Sequence, residues 1–151
     1  MALKVGDKIT NFTAKDTHGN DFDSQNFVGQ KALVIYFYPK DNTPGCTAQA
    51  CSFRDQYEDF KDLGAEVIGI SSDSENSHEK FASKYKLPFI LLSDQDKKIR
   101  NLFGVPSGMF GLLPGRVTYV ADKSGKIVMI FDSMMATKHI PKALEAIKKL
   151  V

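Results

Sequence analysis

The pattern of apolar and polar positions predicts alternating strands and helices. The segment Lys31–Tyr38 (KALVIYFY) is almost continuously apolar and rich in β-branched and aromatic residues, which is typical of a central strand covered on both faces. Pro39 ends this run. Similar but shorter runs predict further strands at Glu66–Ser71, Phe89–Leu92, Arg116–Ala121 and Lys126–Phe131, and a small hairpin from Asn11–Lys15 and Asp21–Phe22.

Helices are predicted between these strands from their start and stop signals. Thr43 can act as N-cap of a helix that has Pro44 in its first position, runs to about Asp62 and stops at Gly64. The remaining signals predict a short turn capped by Ser24, a helix capped by Ser74 or Ser77 that ends at Tyr85, a short helix capped by Asp94 that ends at Gly104, a loop at Ser107–Gly115, and a last helix over about Ile140–Leu150.

The resulting order β-α-β-α-β-α-β-β-α combines crossover connections with a terminal hairpin. It predicts an α/β fold of three layers, with a mixed central sheet, helices on both faces and an N-terminal hairpin extension. A hairpin followed by a last helix points to the thioredoxin-like arrangement. No linker or repeat interrupts the 151 residues, so we expect one domain spanning 1–151.

Composition and charge exclude several classes of function. The net charge is only +2, and the 20 basic and 18 acidic residues are interspersed, so neither a nucleic acid nor an anionic membrane is expected as a partner. The first ten residues lack the apolar stretch of a signal peptide, and the longest apolar run is too short to cross a membrane. We therefore expect a cytoplasmic protein. Its two cysteines are too few for a secreted disulfide scaffold, so they are expected to be reactive or simply buried.

Cys46 is the strongest candidate for a reactive group. It shares one helical stripe with Ala50, Phe53, Tyr57 and Phe60, and therefore lies in the first turn on the face that packs against the sheet. The unpaired N–H groups and the dipole of a first turn stabilise negative charge. Since the thiolate is the nucleophilic form of cysteine, this placement favours a reactive sulfur.

Cys51 lies on another side of the same predicted helix. Two helical residues five positions apart have α-carbons about 8.6 Å from each other, whereas disulfides need separations below about 6.8 Å. A permanent Cys46–Cys51 bond is therefore not expected. A catalytic bond between them requires that at least one turn of the helix unwind.

Other uses of the cysteines are less favoured. A C-x-x-C spacing is absent, and a zinc site would need two more ligands, whereas the three histidines, His18, His78 and His139, lie in different segments. We expect neither a metal nor a cofactor. A peroxide sensor that passes oxidation to a partner, and a thioredoxin-fold binding module with inert thiols, remain alternatives to an enzyme.

One segment resembles the active-site loop of the peroxiredoxins. The residues Tyr36–Thr47 (YFYPKDNTPGCT) contain the pattern P-x-x-x-T/S-x-x-C, and the continuation Ala48–Asp55 places a second cysteine five residues downstream. This resembles the bacterioferritin comigratory protein group, also called peroxiredoxin Q. Further similar segments are Leu91–Asp94, Phe103–Val105 and Arg116–Val120, so the likeness extends over essentially the whole chain, and the loop Val105–Gly115 is most similar to the chloroplast and cyanobacterial branch.

The resemblance implies an activity and roles for five residues. It implies a thioredoxin-like, typically monomeric peroxidase that reduces hydrogen peroxide and organic hydroperoxides and is recycled by thioredoxin or a similar dithiol. Cys46 would be the peroxidatic nucleophile and Cys51 the resolving cysteine, with Pro39, Thr43 and Arg116 as the other active-site positions. The first residues show no Ser/Arg-rich transit segment, so a processed plastid form is only the alternative to the cytoplasm.

Overall fold

The computed structural model describes residues 2–105 and 115–151 in full and residues 107–108 and 113–114 as strands only. Its strands are β1 (Thr13–Asp16), β2 (Asp21–Asp23), β3 (Ala32–Phe37), β4 (Ala65–Ser71), β5 (Ile90–Ser93), β6 (Ser107–Gly108), β7 (Leu113–Pro114), β8 (Val117–Ala121) and β9 (Ile127–Asp132). Its α-helices are α1 (Pro44–Asp62), α2 (Glu75–Tyr85), α3 (Lys98–Phe103) and α4 (His139–Lys148), with 3₁₀ turns at Ser24–Asn26 and Ala136–Lys138.

Seven of the strands form one mixed sheet in the order β2-β1-β5-β4-β3-β8-β9. Strand β4 is parallel to β3 and β5, and the other neighbours are antiparallel. This sheet confirms the predicted fold class. The N-terminal hairpin joins it because β1 pairs with β5, a long-range contact that the local sequence pattern does not reveal.

The helices lie on both faces of this sheet, as predicted. The connections β3-α1-β4 and β4-α2-β5 move in the same direction along the sheet, so right-handed crossovers place α1 and α2 on the same face. Phe53 of α1, Phe81 of α2 and Ile140 of α4 share one hydrophobic core there. The chain then crosses back from β5 to β8, and Ile99 and Phe103 of α3 belong to the core on the opposite face.

Strand β3 is the centre of the molecule. All six of its residues are buried, and its side chains alternate between the two cores, as a strand covered on both faces requires. Tyr36 points toward α1 and stacks on Phe53 with ring centroids 4.6 Å apart. This packing holds α1 against β3.

Most local signals act as predicted. Helix α1 has the predicted bounds, and Gly64 follows it with a φ of 79°. Ser74 caps α2 by accepting a hydrogen bond from the Ser77 amide. The carboxylate of Asp94 accepts hydrogen bonds from two amides in the first turn of α3, those of Ile99 and Arg100.

The predicted capping role of Ser24 is wrong. The 3₁₀ turn is capped by Asp23, whose carboxylate accepts a hydrogen bond from the Gln25 amide. Ser24 is instead buried, where its hydroxyl accepts from the Phe12 amide and donates to Asn11 Oδ1. Neighbouring residues compete for the same cap, and the tertiary contact with Asn11 and Phe12 decides between them.

The predicted loop Ser107–Gly115 lies mostly outside the fully described residues. Its described parts form a short antiparallel pair, in which Ser107 faces Pro114 and Gly108 faces Leu113. Within the described ranges, no helix combines the length and the apolar character needed to cross a bilayer.

His139, the first residue of α4, joins three elements. Its buried ring lies with Nε2 2.7 Å from the Ser133 carbonyl oxygen and Nδ1 2.7 Å from Thr118 Oγ1. The carbonyl can only accept, so Nε2 donates, and Nδ1 accepts from the threonine hydroxyl. Burial lowers the pKa of His139, so the native state favours the neutral ring.

This arrangement predicts a pH-dependent stability. Below about pH 6.5 the unfolded chain binds a proton at His139 that the folded chain excludes, so the free energy of unfolding falls as the pH is lowered. In His139→Gln, whose amide does not titrate, urea unfolding should lose less stability than wild type between about pH 7.5 and 5.5. The exposed His18→Gln variant should behave as wild type, and equal losses in all three proteins would refute this role.

Candidate active site

Cys46 lies in the first turn of α1 and is only 1% exposed. Pro44 occupies the first turn of the helix, where its missing N–H removes no hydrogen bond. The first amides of a helix have no intrahelical acceptor, so the sulfur lies where positive partial charge is concentrated. The predicted first-turn, sheet-facing placement of Cys46 is therefore present, and its apolar neighbours Ala50, Phe53 and Phe60 are also buried.

Arg116 is the cationic group beside this sulfur. It immediately precedes β8, and the pairing of Val117 with Phe37 brings the start of β8 to the end of β3. The guanidinium is buried, and its Nη2 lies 3.4 Å from Cys46 Sγ. A Cβ atom on Gly45 would lie 3.1 Å from the same nitrogen, so the glycine leaves room for this approach.

Gln49 orients the guanidinium, and the sequence reasoning missed it. Its side chain is fully buried one turn after Cys46, and its Oε1 accepts a hydrogen bond from Arg116 Nη1. Arg116 is thereby held by its two terminal nitrogens, one on the amide and one on the sulfur. A signal was available, because Gln49 is a polar residue three positions after Cys46, on the otherwise apolar side of the helix.

Tyr36 is a second buried residue near Cys46 that sequence reasoning missed. Burial, and next the charge at Cys46, raise the pKa of Tyr36 well above its ordinary value, so the phenol keeps its proton. Among the residues that the structure describes, its hydroxyl has no hydrogen-bond partner, and neither do Gln49 Nε2 and Arg116 Nε. Each of these three buried groups can donate a hydrogen bond to an oxygen.

Thr43 and Pro39 shape the loop that enters α1. Thr43 occupies the predicted N-cap position, although its side chain makes no capping hydrogen bond. Its hydroxyl instead donates to the Lys40 carbonyl oxygen at 2.8 Å and closes the loop on itself. Pro39 is half-buried at the bend after β3.

Cys51 is half-buried, and both cysteines are free thiols. They belong to one unbroken helix, so the separation expected from helical geometry, about 8.6 Å between α-carbons, applies. This exceeds the limit of about 6.8 Å for a disulfide. The two sulfurs can therefore meet only after the start of α1 has unwound.

Within the described residues, one group of side chains has the ligand types of a cation site. Asp41, Asp73 and His78 present ligand atoms that all lie within 4.8 Å of one another. However, Asp41 Oδ2 and His78 Nδ1 are only 2.6 Å apart and hydrogen-bonded to each other. An ion between them would have to break that bond, so the cluster fits a hydrogen-bond network better than a metal centre.

Comparison with known proteins agrees with this geometry. Residues 5–130 match the AhpC/TSA family. Chloroplastic peroxiredoxin Q from Sedum lineare is 54% identical over 140 residues, which are 92% of this chain and 75% of that protein. The corresponding protein from Populus jackii is 51% identical over 149 residues, 98% of this chain and 70% of that one.

Solved structures with a similar fold come from the same group of proteins as these sequence relatives. Peroxidoxin BcpB from Mycobacterium tuberculosis superposes with a TM-score of 0.91 and 32% identity over 99% of both chains. The bacterioferritin comigratory protein from Xanthomonas campestris, described with an alkyl peroxide reduction activity, gives 0.83 and 30% over 91% of this chain and 90% of that one. The chain thus belongs to the AhpC/TSA family of peroxiredoxins, within the group of peroxiredoxin Q and the bacterioferritin comigratory proteins.

Proposed function

We propose that this peroxidase reduces hydrogen peroxide and organic hydroperoxides with Cys46 as its nucleophile. The observation that carries the proposal is the 3.4 Å contact between Arg116 Nη2 and the buried Cys46 sulfur at the start of α1. A guanidinium and a helix N-terminus both favour the thiolate, which is the form that attacks. The alkyl peroxide activity named for the Xanthomonas campestris relative supports the inclusion of organic substrates.

In the first step, the Cys46 thiolate attacks one oxygen of the peroxide bond. The S–O bond forms as the O–O bond breaks, leaving Cys46 as a sulfenic acid and releasing water or an alcohol once the departing oxygen is protonated. Negative charge moves from sulfur to the departing oxygen. Arg116 lies beside the sulfur, and Gln49, which is bonded to Arg116, has a buried amide nitrogen with no partner among the described residues, so these two side chains can stabilise that charge.

In the second step, Cys51 attacks the sulfenic sulfur, and water leaves as the disulfide forms. The helical separation of the two residues requires the start of α1 to unwind first. A dithiol reductant of the thioredoxin type then restores both thiols by exchange and becomes oxidised itself. In this scheme Thr43 and Pro39 maintain the loop around the pocket.

The chloroplastic names of the plant relatives support the processed plastid form, which was the alternative expectation. A cytoplasmic location and a monomeric state stay predictions.

The two cysteine variants test the proposed cycle. Cys46→Ser should abolish peroxide consumption because no other thiol in the chain occupies the pocket. Cys51→Ser should reduce about one equivalent of peroxide and then stop, since the sulfenic acid has no partner for the disulfide. Peroxide loss with thioredoxin and its reductase measures both, and steady turnover by either variant would disprove the corresponding role.

Arg116 has a matched control in the second buried arginine of the chain, Arg100. Arg116→Ala should slow the reaction of Cys46 with peroxide by about 10²-fold, the usual effect of removing one donor from a developing negative charge. Arg100 lies on the opposite face of the sheet, over the Phe37 ring, so Arg100→Ala should keep the wild-type rate constant. Stopped-flow measurement of Cys46 oxidation gives the rate constant of each variant. Similar effects of both substitutions would refute a direct role for Arg116.

A further inference from the structure

The loop between β3 and α1 is held by a buried carboxylate that the proposed chemistry does not use. Asp41 is 5% exposed and lies five residues before Cys46. Its Oδ1 accepts a hydrogen bond from the Tyr38 hydroxyl, and its Oδ2 accepts from Ser77 Oγ and contacts His78 Nδ1. The side chain of one loop residue is thus tied to the end of β3 and to the first turn of α2.

The His78 ring completes this network. It is fully buried, and its Nε2 lies 2.9 Å from the Leu92 carbonyl oxygen, which can only accept a hydrogen bond. Nε2 therefore carries a proton, and Nδ1 shares another with Asp41 Oδ2 across 2.6 Å. Burial, followed by the Asp41 charge, raises the pKa of Tyr38, so its phenol remains a donor to the carboxyl group. Every polar side-chain atom of Asp41 and His78 therefore has a hydrogen-bond partner.

The backbone of Asp41 is also held by a hydrogen bond to a residue outside the loop. The Asp41 amide donates to Asp73 Oδ2 at 2.8 Å, and Asp73 lies two residues after the end of β4. The Asp73 carboxylate also accepts a hydrogen bond from Ser71 Oγ at 2.7 Å. Side chain and backbone of Asp41 are thus both immobilised by residues outside the loop. We call the set Tyr38, Asp41, Asp73, Ser77 and His78 the loop clamp.

Between the loop clamp and α1 lies a residue with an unusual backbone conformation. Asn42 has a φ of 60°, in the left-handed region, which asparagine adopts more readily than other non-glycine residues. This conformation is flanked by two constraints, because the Asp41 amide is bonded to Asp73 and the Thr43 hydroxyl is bonded to the Lys40 carbonyl. Release of the clamp would remove one of these constraints and let the start of α1 move.

We propose that Asp41 and His78 are positioning residues for Cys46. The loop clamp holds the first turn of α1 in the position from which Cys46 attacks, and it opposes the unwinding that brings Cys46 to Cys51. Loosening it should slow the first step and speed the second. This inference rests on the proposed two-cysteine cycle.

The test measures the two steps separately. Asp41→Asn weakens the bond to His78 with little change in shape, so we expect Cys46 oxidation to slow by about tenfold and disulfide formation to become several-fold faster, about the effect of losing one charge-assisted hydrogen bond. The fraction of Cys46 overoxidised to sulfinic acid at high peroxide should fall. Stopped-flow kinetics and mass spectrometry provide these readouts.

Asp94→Asn is the matched control. Asp94 is equally buried and accepts two backbone hydrogen bonds, but it serves α3 on the other face of the sheet. This variant should lose stability and keep both rate constants. Tyr38→Phe removes one donor from the loop clamp, so Cys46 oxidation should slow and disulfide formation should speed up, each by a smaller factor than in Asp41→Asn. This second variant provides the test if Asp41→Asn does not fold.

The outcomes are distinguishable. If disulfide formation in Asp41→Asn or Tyr38→Phe is unchanged or slower, the clamp does not oppose unwinding and the inference is overturned. Wild type that forms no Cys46–Cys51 bond after peroxide treatment would overturn the two-cysteine cycle itself.

Discussion

The position of one sulfur at the start of one helix determines the rest of this site. Cys46 lies where the free amides of α1, the buried guanidinium of Arg116 and the apolar core meet. In the proposed cycle, this position serves the attacking sulfur only while the first turn is helical. The same helical turn keeps Cys46 away from Cys51, because helical geometry separates their α-carbons too far for a disulfide. In the proposed cycle, attack and disulfide formation therefore need different structures of residues 44–51.

The sheet provides the rigid part of this arrangement. Antiparallel pairing of β3 and β8 places Arg116 beside the end of β3, and the stacking of Tyr36 on Phe53 holds α1 against the same strand. Unwinding can then be confined to the start of α1, since Phe53 and Phe60 remain anchored in the core further along the helix. The proposed cycle thus combines an arginine held by the sheet with a cysteine that has to move.

Local sequence signals predicted what local interactions decide. The bounds of α1 follow from Pro44 and Gly64, and the burial of Cys46 follows from its helical stripe, because both depend on neighbours along the chain. The capping signal at Ser24 was less informative, because its neighbour Asp23 offers the same cap and is the one used. The position of Arg116 was inferred only from a family resemblance, since nothing local distinguishes it from a surface charge.

Local sequence patterns did not predict the contacts between distant segments. Gln49 meets Arg116 across 67 positions, and Asp41 meets His78 across 37. A polar residue on the apolar side of α1 was the one usable sign of Gln49. His78 gave none, because its partner lies on a loop whose path is set by β3, α2 and β5 together.

Amide hydrogen exchange of α1 tests most directly whether the start of this helix unwinds when Cys46 and Cys51 form a disulfide. In the reduced protein, amides from Thr47 to Asp62 should be protected by the helical hydrogen bonds. After treatment with one equivalent of peroxide, protection should be lost around Cys46 and Cys51 and kept toward Phe60. Unchanged protection throughout α1, alongside a Cys46–Cys51 bond mapped by mass spectrometry, would contradict the account.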